Sequence, residues 1–580
     1  MSDPSRPSIL RRNAPGAAIS LGVVVVGFVI PMWIARSQGA LGVARGDDWS
    51  YLVTLFRWVD TGRMEFNDWV SMSLLGQLWI AAPIAAIWGH ATTIVQTQTA
   101  ILGSIGLLCV LWLGRRLGLS WGLAALAALT IAVSPLWMVL STTYMTDIPS
   151  FTFSLAALLI ATIAIQRRPI SMPLLLLALA LATYSVLIRQ YAIVPLIAIV
   201  LAGFLATVRA RRKNATIALV IACVISFLAI VVFFIWWSNV PDAKSIAPTL
   251  PSARHLRTTF IKGAGFVRLS GLLLAPVLIY CGPIRIIRRS YSASKSLSIA
   301  IGAGVALWEA VTATRYVSSQ FVGNYIIKDG ALSIAVLPGQ RPDVIPGPFW
   351  SLCVIVSSIL AVLLLMATIP SIVGVWSRVK NHQLFDVDPV TSMLGLTIAG
   401  FCCAYTIAMV TGVQVYDRYA LPAIPIIALL LIRATKPRPD RSRIALTSVA
   451  LIALLLLGAS FAIDSASFDG GRWRLAAQVA EENGWRPLRV NGGFEWVNFH
   501  RGKRGTVESR TSAVKVLADG SIVKIPRFCA NLRVIDPQID RGGEFTNRVL
   551  GTRAYKGLLR PDVMIIALRS NRDCPPNKNL

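Results

Sequence analysis

Apolar residues gather in long runs along this chain, and short polar or basic breaks separate them. Leu21 to Pro31, Leu174 to Leu187 and Ser351 to Ile369 are almost uncharged. A bilayer core takes about 20 apolar residues per helix. Read that way, the pattern predicts thirteen spanning helices, at 17–36, 95–114, 120–140, 150–166, 172–188, 191–208, 216–237, 264–284, 297–314, 350–375, 391–411, 419–433 and 444–463. The stretch from Asp68 to Gly89 is apolar too. Pro83 breaks it and Trp69, Trp79 and Trp88 flank it, which suits a helix lying in the membrane interface.

After Asp464 the pattern changes. Trp473 to Asn483 reads as a helix, and Leu488 to Val490, Ile522 to Ile525 and Val563 to Leu568 read as short strands. The expected fold class is therefore an α-helical polytopic membrane protein with a small C-terminal α/β domain. The expected division is a transmembrane domain over 1–463, with outer loops at 38–89, 238–262 and 315–349, and a soluble extracytoplasmic domain over 464–580.

Composition agrees. Of 580 residues, 55% are hydrophobic and 14% charged, and the mean hydropathy is +0.65. A soluble protein usually carries about 25% charged residues. The formal charge is +29, which in a soluble protein would suggest nucleic acid. No groove-reading motif accompanies it, and nucleic acid is not an expected partner. The basic residues sit in clusters at Arg115-Arg116, Arg167-Arg168, Arg209 to Lys213, Arg285 to Lys295, Arg378 to Lys380 and Arg433 to Arg443, with Arg6, Arg11 and Arg12 ahead of the first run. Two helices fit between successive clusters. All the clusters then share one face, expected to be cytoplasmic with the N-terminus in a plasma (inner) membrane, and the tail lies opposite. The first run is longer than a signal-peptide core and reads as an uncleaved helix.

Six cysteines lie in apolar runs and read as small hydrophobes. Cys529 and Cys574 lie in the tail, where an oxidising compartment allows a disulfide. No CxxC spacing exists to suggest a zinc site.

Ionisable residues near membrane depth are costly and need a role or a partner. Asp47-Asp48-Trp49-Ser50-Tyr51 puts two carboxylates and a phenol soon after the first run. One carboxylate suits a general base, with the other orienting it; their adjacency is also where a Mg²⁺ or Mn²⁺ would sit. The plain alternative is a solvated acidic loop. Asp147, followed by Pro149, suits the cap of the next helix. Arg189, at a tight turn between two spans, suits either snorkelling or a clamp on phosphate. Tyr416-Asp417-Arg418-Tyr419 precedes Pro422 at another outer helix end. Lys328, Asp329, Arg341 and Asp343 occupy the long loop and suggest a lid.

In order and spacing these motifs resemble the GT-C superfamily of membrane glycosyltransferases, in the branch of protein O-mannosyltransferases and lipid A aminoarabinose transferases (glycosyltransferase family 39-like). The resemblance rests on Asp47-Asp48 with Tyr51, on Asp147-Ile148-Pro149, on Arg189, and on Arg418-Tyr419-Ala420-Leu421-Pro422. It covers roughly residues 17–463. Asp48 stands where the family usually has Glu.

The resemblance implies a hexosyl- or pentosyltransferase. Its donor would be a sugar on a polyprenyl phosphate, and its acceptor a lipid, glycan or protein hydroxyl. The implied catalytic residues are Asp47 as base, Asp48 as its partner and Asp147. Tyr51, Arg189, Arg418 and Tyr419 would bind donor phosphate or sugar, with Trp49 and Tyr51 as a stacking face. Two other readings remain at this point: a transporter or flippase, for which Glu309 is the main acidic residue inside a predicted span, and a noncatalytic envelope-assembly subunit.

Overall fold

The computed structural model describes residues 9–240, 248–316, 320–332, 336–339, 341–381, 383, 386–437, 440–502, 512–516, 522–535, 549–570 and 574, with side chains outside 9–14, 512–516 and 522–526. Arg6 and the side chains of Arg11 and Arg12 lie outside the described residues.

Every predicted span falls on helix. Among the described residues ten helices are long and apolar enough to cross a membrane, and Ala253–Leu273 with Ala275–Cys281, bent by 66°, makes an eleventh. The other two predicted spans are shorter apolar helices, Met172–Ile188 and Trp121–Ala132. The latter stops where Ser134 begins a new turn: its side chain accepts from Trp137 N, and Pro135 occupies the first helical position of Pro135–Leu140. The helix Leu75–Trp88 is 14 residues long and short of a full span.

Small residues let these helices approach closely. A Cβ on Gly458 would lie 2.4 Å from the Val133 carbonyl, so the helix Arg441–Glu482 sits directly on the break at 133–135. The first helix winds as a π-turn at Val25–Val29, and Gly27 O there accepts from the buried Trp137 indole at 2.9 Å. The acidic residue within a span, Glu309, is paired. Arg268 Nε donates to it at 2.7 Å, and the same guanidinium reaches Gln320 O and Thr312 Oγ1.

The basic clusters meet at one end of the bundle. Gln166 donates to Arg116 O, Arg209 to Val387 O, Arg285 to Lys436 O, and Arg433 pairs with Asp388.

Two elements differ from expectation. The first outer loop contains, besides the helix expected within 68–89 (Leu75–Trp88), a second one at Asp48–Thr61. The helix Arg441–Glu482 runs 42 residues, through the expected boundary at 463 and into the tail, and the predicted helix at 473–483 is its last part. Its tail half carries the sheet. The strands are β1 (Val490–Asn491), β2 (Ser512–Val516), β3 (Ile522–Pro526), β4 (Ala530–Ile535), β5 (Val549–Tyr555) and β6 (Val563–Arg569). The main sheet has the order β1-β4-β6-β5, with β1 parallel to β4 and the rest antiparallel; β2 and β3 pair separately. In β4, Ala530, Leu532 and Val534 alternate inward with more exposed residues, the period of a half-buried strand. Cys529 and Cys574 form a disulfide.

Candidate active site

Four polar motifs far apart in sequence meet at the end of the bundle away from the basic clusters. Asp47 precedes the helix Asp48–Thr61, but its side chain makes no cap bond. Its Oδ2 instead takes Arg418 Nη2 at 3.1 Å and its Oδ1 takes the Trp69 indole N–H at 2.9 Å. Asp147 opens the helix Asp147–Gln166, with Pro149 in the first turn, yet it does not cap that helix either. Its Oδ2 lies 2.8 Å from Arg189 Nη1 and 3.8 Å from Arg418 Nε. The capping role expected for Asp147 is thus replaced by ion pairing.

Each arginine is placed by local backbone. Arg189 ends the helix Met172–Ile188 in an extended conformation, so its side chain leaves the helix at a turn. Nη1 also donates to Thr146 Oγ1 at 2.7 Å. Arg418 sits in the 3₁₀ turn Asp417–Ala420. Asp417 fixes that turn: it accepts from Arg418 N and from Tyr325 N and Ile326 N of the long loop. Aromatic rings line both guanidiniums. Arg189 lies over Tyr419 and Tyr191, and Arg418 over Tyr416, Tyr325 and Tyr419, contacts that suit a cation held out of water.

Several buried atoms here lack a hydrogen-bond partner: Arg418 Nη1 and Nε, Asp147 Oδ1, and the hydroxyls of Tyr51, Tyr191, Tyr325 and Tyr405. A buried unpaired polar atom is rare and expensive, and a cluster of them asks for a ligand. Tyr51 stands one helical turn after Asp47, on the same face. Burial pushes its phenol well above the usual range, as it does that of Tyr325.

The structure brings together Asp47, Asp147, Arg189, Arg418, Tyr51 and Tyr419. It does not bring Asp48 to them. That carboxylate is fully buried and accepts the backbone N–H groups of Arg45 and Tyr144. Burial pushes it well above the usual carboxylate range, against the pull of those bonds. Asp48 therefore pins the loop to the backbone at Tyr144. Trp49 is buried at 1% exposure, so it offers no stacking face. The four loop residues lie elsewhere: Lys328 pairs with Asp343, Arg341 pairs with Asp464, and Asp329 has no contact with the cluster among the described residues.

The adjacent carboxylates do not fit a divalent cation. All four oxygens of Asp47 and Asp48 already accept from protein donors, and the two side chains have different partners. Among the described residues no group of three or more His, Cys, Asp or Glu side chains is arranged to hold a metal.

Sequence reasoning missed three contributors. Tyr325 lies in the long loop, noted only for its charges. Trp69, at the edge of an apolar stretch, has the sequence pattern of an interfacial anchor. Arg45, 3% exposed, braces the loop two residues before Asp47: its guanidinium reaches Asp469, Ser465 and Thr142. Asp469 in turn takes Arg472, which also pairs with Glu495 of the tail.

A family model matches residues 75–237, that of the dolichyl-phosphate-mannose-protein mannosyltransferases. The matched stretch contains Asp147, Pro149 and Arg189; Asp47 and Arg418 lie outside it. The match covers less than a third of the chain, and the family is of the kind that the motifs resemble. Among solved structures, the chain is similar to ArnT from Cupriavidus metallidurans bound to undecaprenyl phosphate, at 11% identity and a TM-score of 0.44, over 96% of this chain and 98% of that one. It is also similar to the oligosaccharyltransferase AglB from Archaeoglobus fulgidus, in complex with an inhibitory peptide and a dolichol-phosphate, at 14% identity and a TM-score of 0.39, over 86% and 65%. No curated protein matches the chain in sequence.

Proposed function

We propose that this protein transfers a sugar from a polyprenyl-phosphate donor to an acceptor hydroxyl at the extracytoplasmic face, with inversion and with Asp47 as general base. The observation that carries this reading is Arg418. It is buried and tied to both Asp47 and Asp147, yet Nη1 has no partner. A charged donor held beside a partly exposed carboxylate (Asp47 is 26% exposed) suits a reaction that takes a proton and releases a phosphate.

The step is a single displacement. The acceptor O–H gives its proton to Asp47, and the oxygen attacks the anomeric carbon. The bond from that carbon to the phosphate oxygen breaks, and polyprenyl phosphate leaves with the electron pair. Arg418 Nη1, supported by Arg189, would meet the charge that develops on the leaving phosphate. The ring faces around both guanidiniums exclude water and strengthen that attraction. Tail disulfide and basic-cluster sidedness support the extracytoplasmic assignment.

The test is transfer from undecaprenyl-phosphate-linked sugars by membranes holding wild-type protein or Asp47→Asn. The amide keeps an oxygen for Trp69 but cannot take the proton. Transfer is expected to fall by about 10²-fold or more, the range of general-base catalysis, with membrane insertion unchanged. Wild-type turnover in the variant removes Asp47 from the mechanism. ATP-independent movement of lipid-linked sugar with no donor consumed would favour the flippase reading.

A further inference from the structure

Several arginines of the basic clusters are spent on the protein itself. Arg115 donates to Leu119 O, Arg209 to Val387 O and Arg285 to Lys436 O, and Arg433 pairs with Asp388. Arg211, Arg212 and Lys213 differ. They are exposed, and among the described residues their side chains make no hydrogen bond or ion pair. Together with Met172, Ala215 and Ala218 they line a cleft of ≈ 630 Å³ at the basic end of the bundle. That size lies within the range of ligand sites, about 300–1,000 Å³.

The cleft is formed where one helix ends and the next begins. Beyond Ile193–Arg209, Arg211 N bonds to Val208 O and Arg212 N to Thr207 O, and Lys213–Ser238 starts at once. A helix end of this kind takes a left-handed residue, most often glycine. Here that residue is Arg211, with φ 51°. A bulky residue in this conformation is costly, and it sets a third cation beside Arg212 and Lys213. The floor is small and apolar. Ala215 and Ala218 stand one turn apart on their helix, and Met172 opens the helix Met172–Ile188. One turn further in, the helices close up: Leu175 and Leu219 each lie 3.2 Å from where a Cβ on Gly203 would stand. Along the sides, Leu176 on one helix and Ile217, Ile221 and Ile225 on the other are exposed.

Three cations at the polar end, a small apolar floor and exposed apolar rows leading away match a ligand with an anionic head and hydrocarbon chains. Basic pockets between spanning helices take anionic lipid headgroups in this way. The unequal sharing of basic residues between the two faces accounts for positive charge at this end. It does not account for a cleft, nor for an arginine in glycine's place. Three adjacent cations repel one another, and a headgroup with two phosphates answers them better than a headgroup with one.

We propose that the cleft at Arg211, Arg212 and Lys213 binds an anionic phospholipid of the leaflet at the basic end, with a two-phosphate headgroup on the three cations and acyl chains along Leu176 and Ile221. The site lies at the opposite end of the bundle from the sugar-transfer centre. The proposal depends neither on the transfer reading nor on which compartment the basic end faces.

The experiment measures binding of cardiolipin, phosphatidylglycerol and phosphatidylethanolamine to the delipidated full chain in detergent, by native mass spectrometry. Cardiolipin is expected to bind most tightly and phosphatidylethanolamine least. Arg212→Gln with Lys213→Gln should weaken cardiolipin binding about tenfold or more, whereas Arg378→Gln with Lys380→Gln, the same loss of charge in another cluster, should change it by less than about twofold. Ala218→Phe keeps all three cations and fills the floor, and should weaken binding by about threefold or more. Equal losses in the two charge pairs would leave only general attraction between charges, and undiminished binding in Ala218→Phe would put the lipid elsewhere. Either result overturns the proposal, as does equal binding of all three lipids. Should Ala218→Phe aggregate, the two charge pairs decide. Soluble pyrophosphate should leave cardiolipin bound; its displacement would mark a site for a soluble anion and overturn the assignment to a lipid.

Discussion

Asp147 holds Arg418 and Arg189 together by answering the charge of both. Two buried guanidiniums next to one another repel, and Asp147 lies between them at 3.8 and 2.8 Å. Removing one partner of such a buried set strands the rest. Arg189→Ala is expected to weaken donor binding by at least tenfold, and Arg189→Lys by less, measured as KM for an undecaprenyl-phosphate-linked sugar. Equal, unaltered values in both would reduce Arg189 to a residue seeking the headgroups. Asp48 makes the opposite case. Its oxygens serve two backbone N–H groups, so Asp48→Asn retains one acceptor and loses the other. The expected outcome is a lower thermal midpoint with substantial turnover left, in contrast to Asp47→Asn. Loss of turnover at full stability would return Asp48 to the chemistry.

At the scale of elements, helix ends do most of the positioning. The site uses the start of Asp48–Thr61, the start of Asp147–Gln166, the end of Met172–Ile188 and the 3₁₀ turn at Asp417–Ala420. Backbone groups are free at such ends and side chains can leave the helix axis there. The tail helix Phe494–Arg501 shows a different economy. His500 packs against Trp496 at 4.1 Å and against Trp473 and Phe499, and its Nε2 is buried without a partner. Burial pushes the imidazole down to about 4 from 6.5. The folded state then binds fewer protons than the unfolded one between those values, so this contribution to stability is present above about pH 6.5 and is lost as pH falls towards about 4. Tail unfolding, followed by tryptophan fluorescence, should shift accordingly, and His500→Gln should flatten the dependence. An unchanged slope in that variant would refute it.

The whole molecule joins an apolar helical bundle to a C-terminal sheet through one helix. Arg441–Glu482 leaves the apolar region and continues as the support of the sheet. Arg341 from the long loop reaches Asp464 on that helix and the Tyr555 hydroxyl on β5, and Arg560 closes the set on Asp464. Buried contacts shared in this way tie loop, helix and sheet together behind the site. Its sidedness is open to direct measurement. With the native cysteines replaced, Arg63→Cys in the first loop is expected to react with an impermeant maleimide added to intact cells, and Arg212→Cys at the basic end only after permeabilisation. The reverse pattern would invert the topology.

How much of this was legible beforehand follows from the range of each interaction. The thirteen apolar runs were readable because membrane helix formation is local: about 20 apolar residues dictate it without reference to any other segment. Asp47, Asp147, Arg189 and Arg418 were readable as candidates because charge at a helix end in a membrane chain is costly wherever it later docks. Their meeting was not readable, since it depends on ion pairs across up to 371 residues of sequence. Nor was the difference between Asp47 and Asp48, neighbours of the same chemistry whose roles are set by which backbone N–H groups arrive from elsewhere. The sequence by itself determined the helices and their polar ends. Only the tertiary structure decided that Asp48 accepts two backbone N–H groups, that Trp69 donates to Asp47, and that the tail reaches Trp69 through Phe494, because burial and pairing are properties of surfaces brought together by folding.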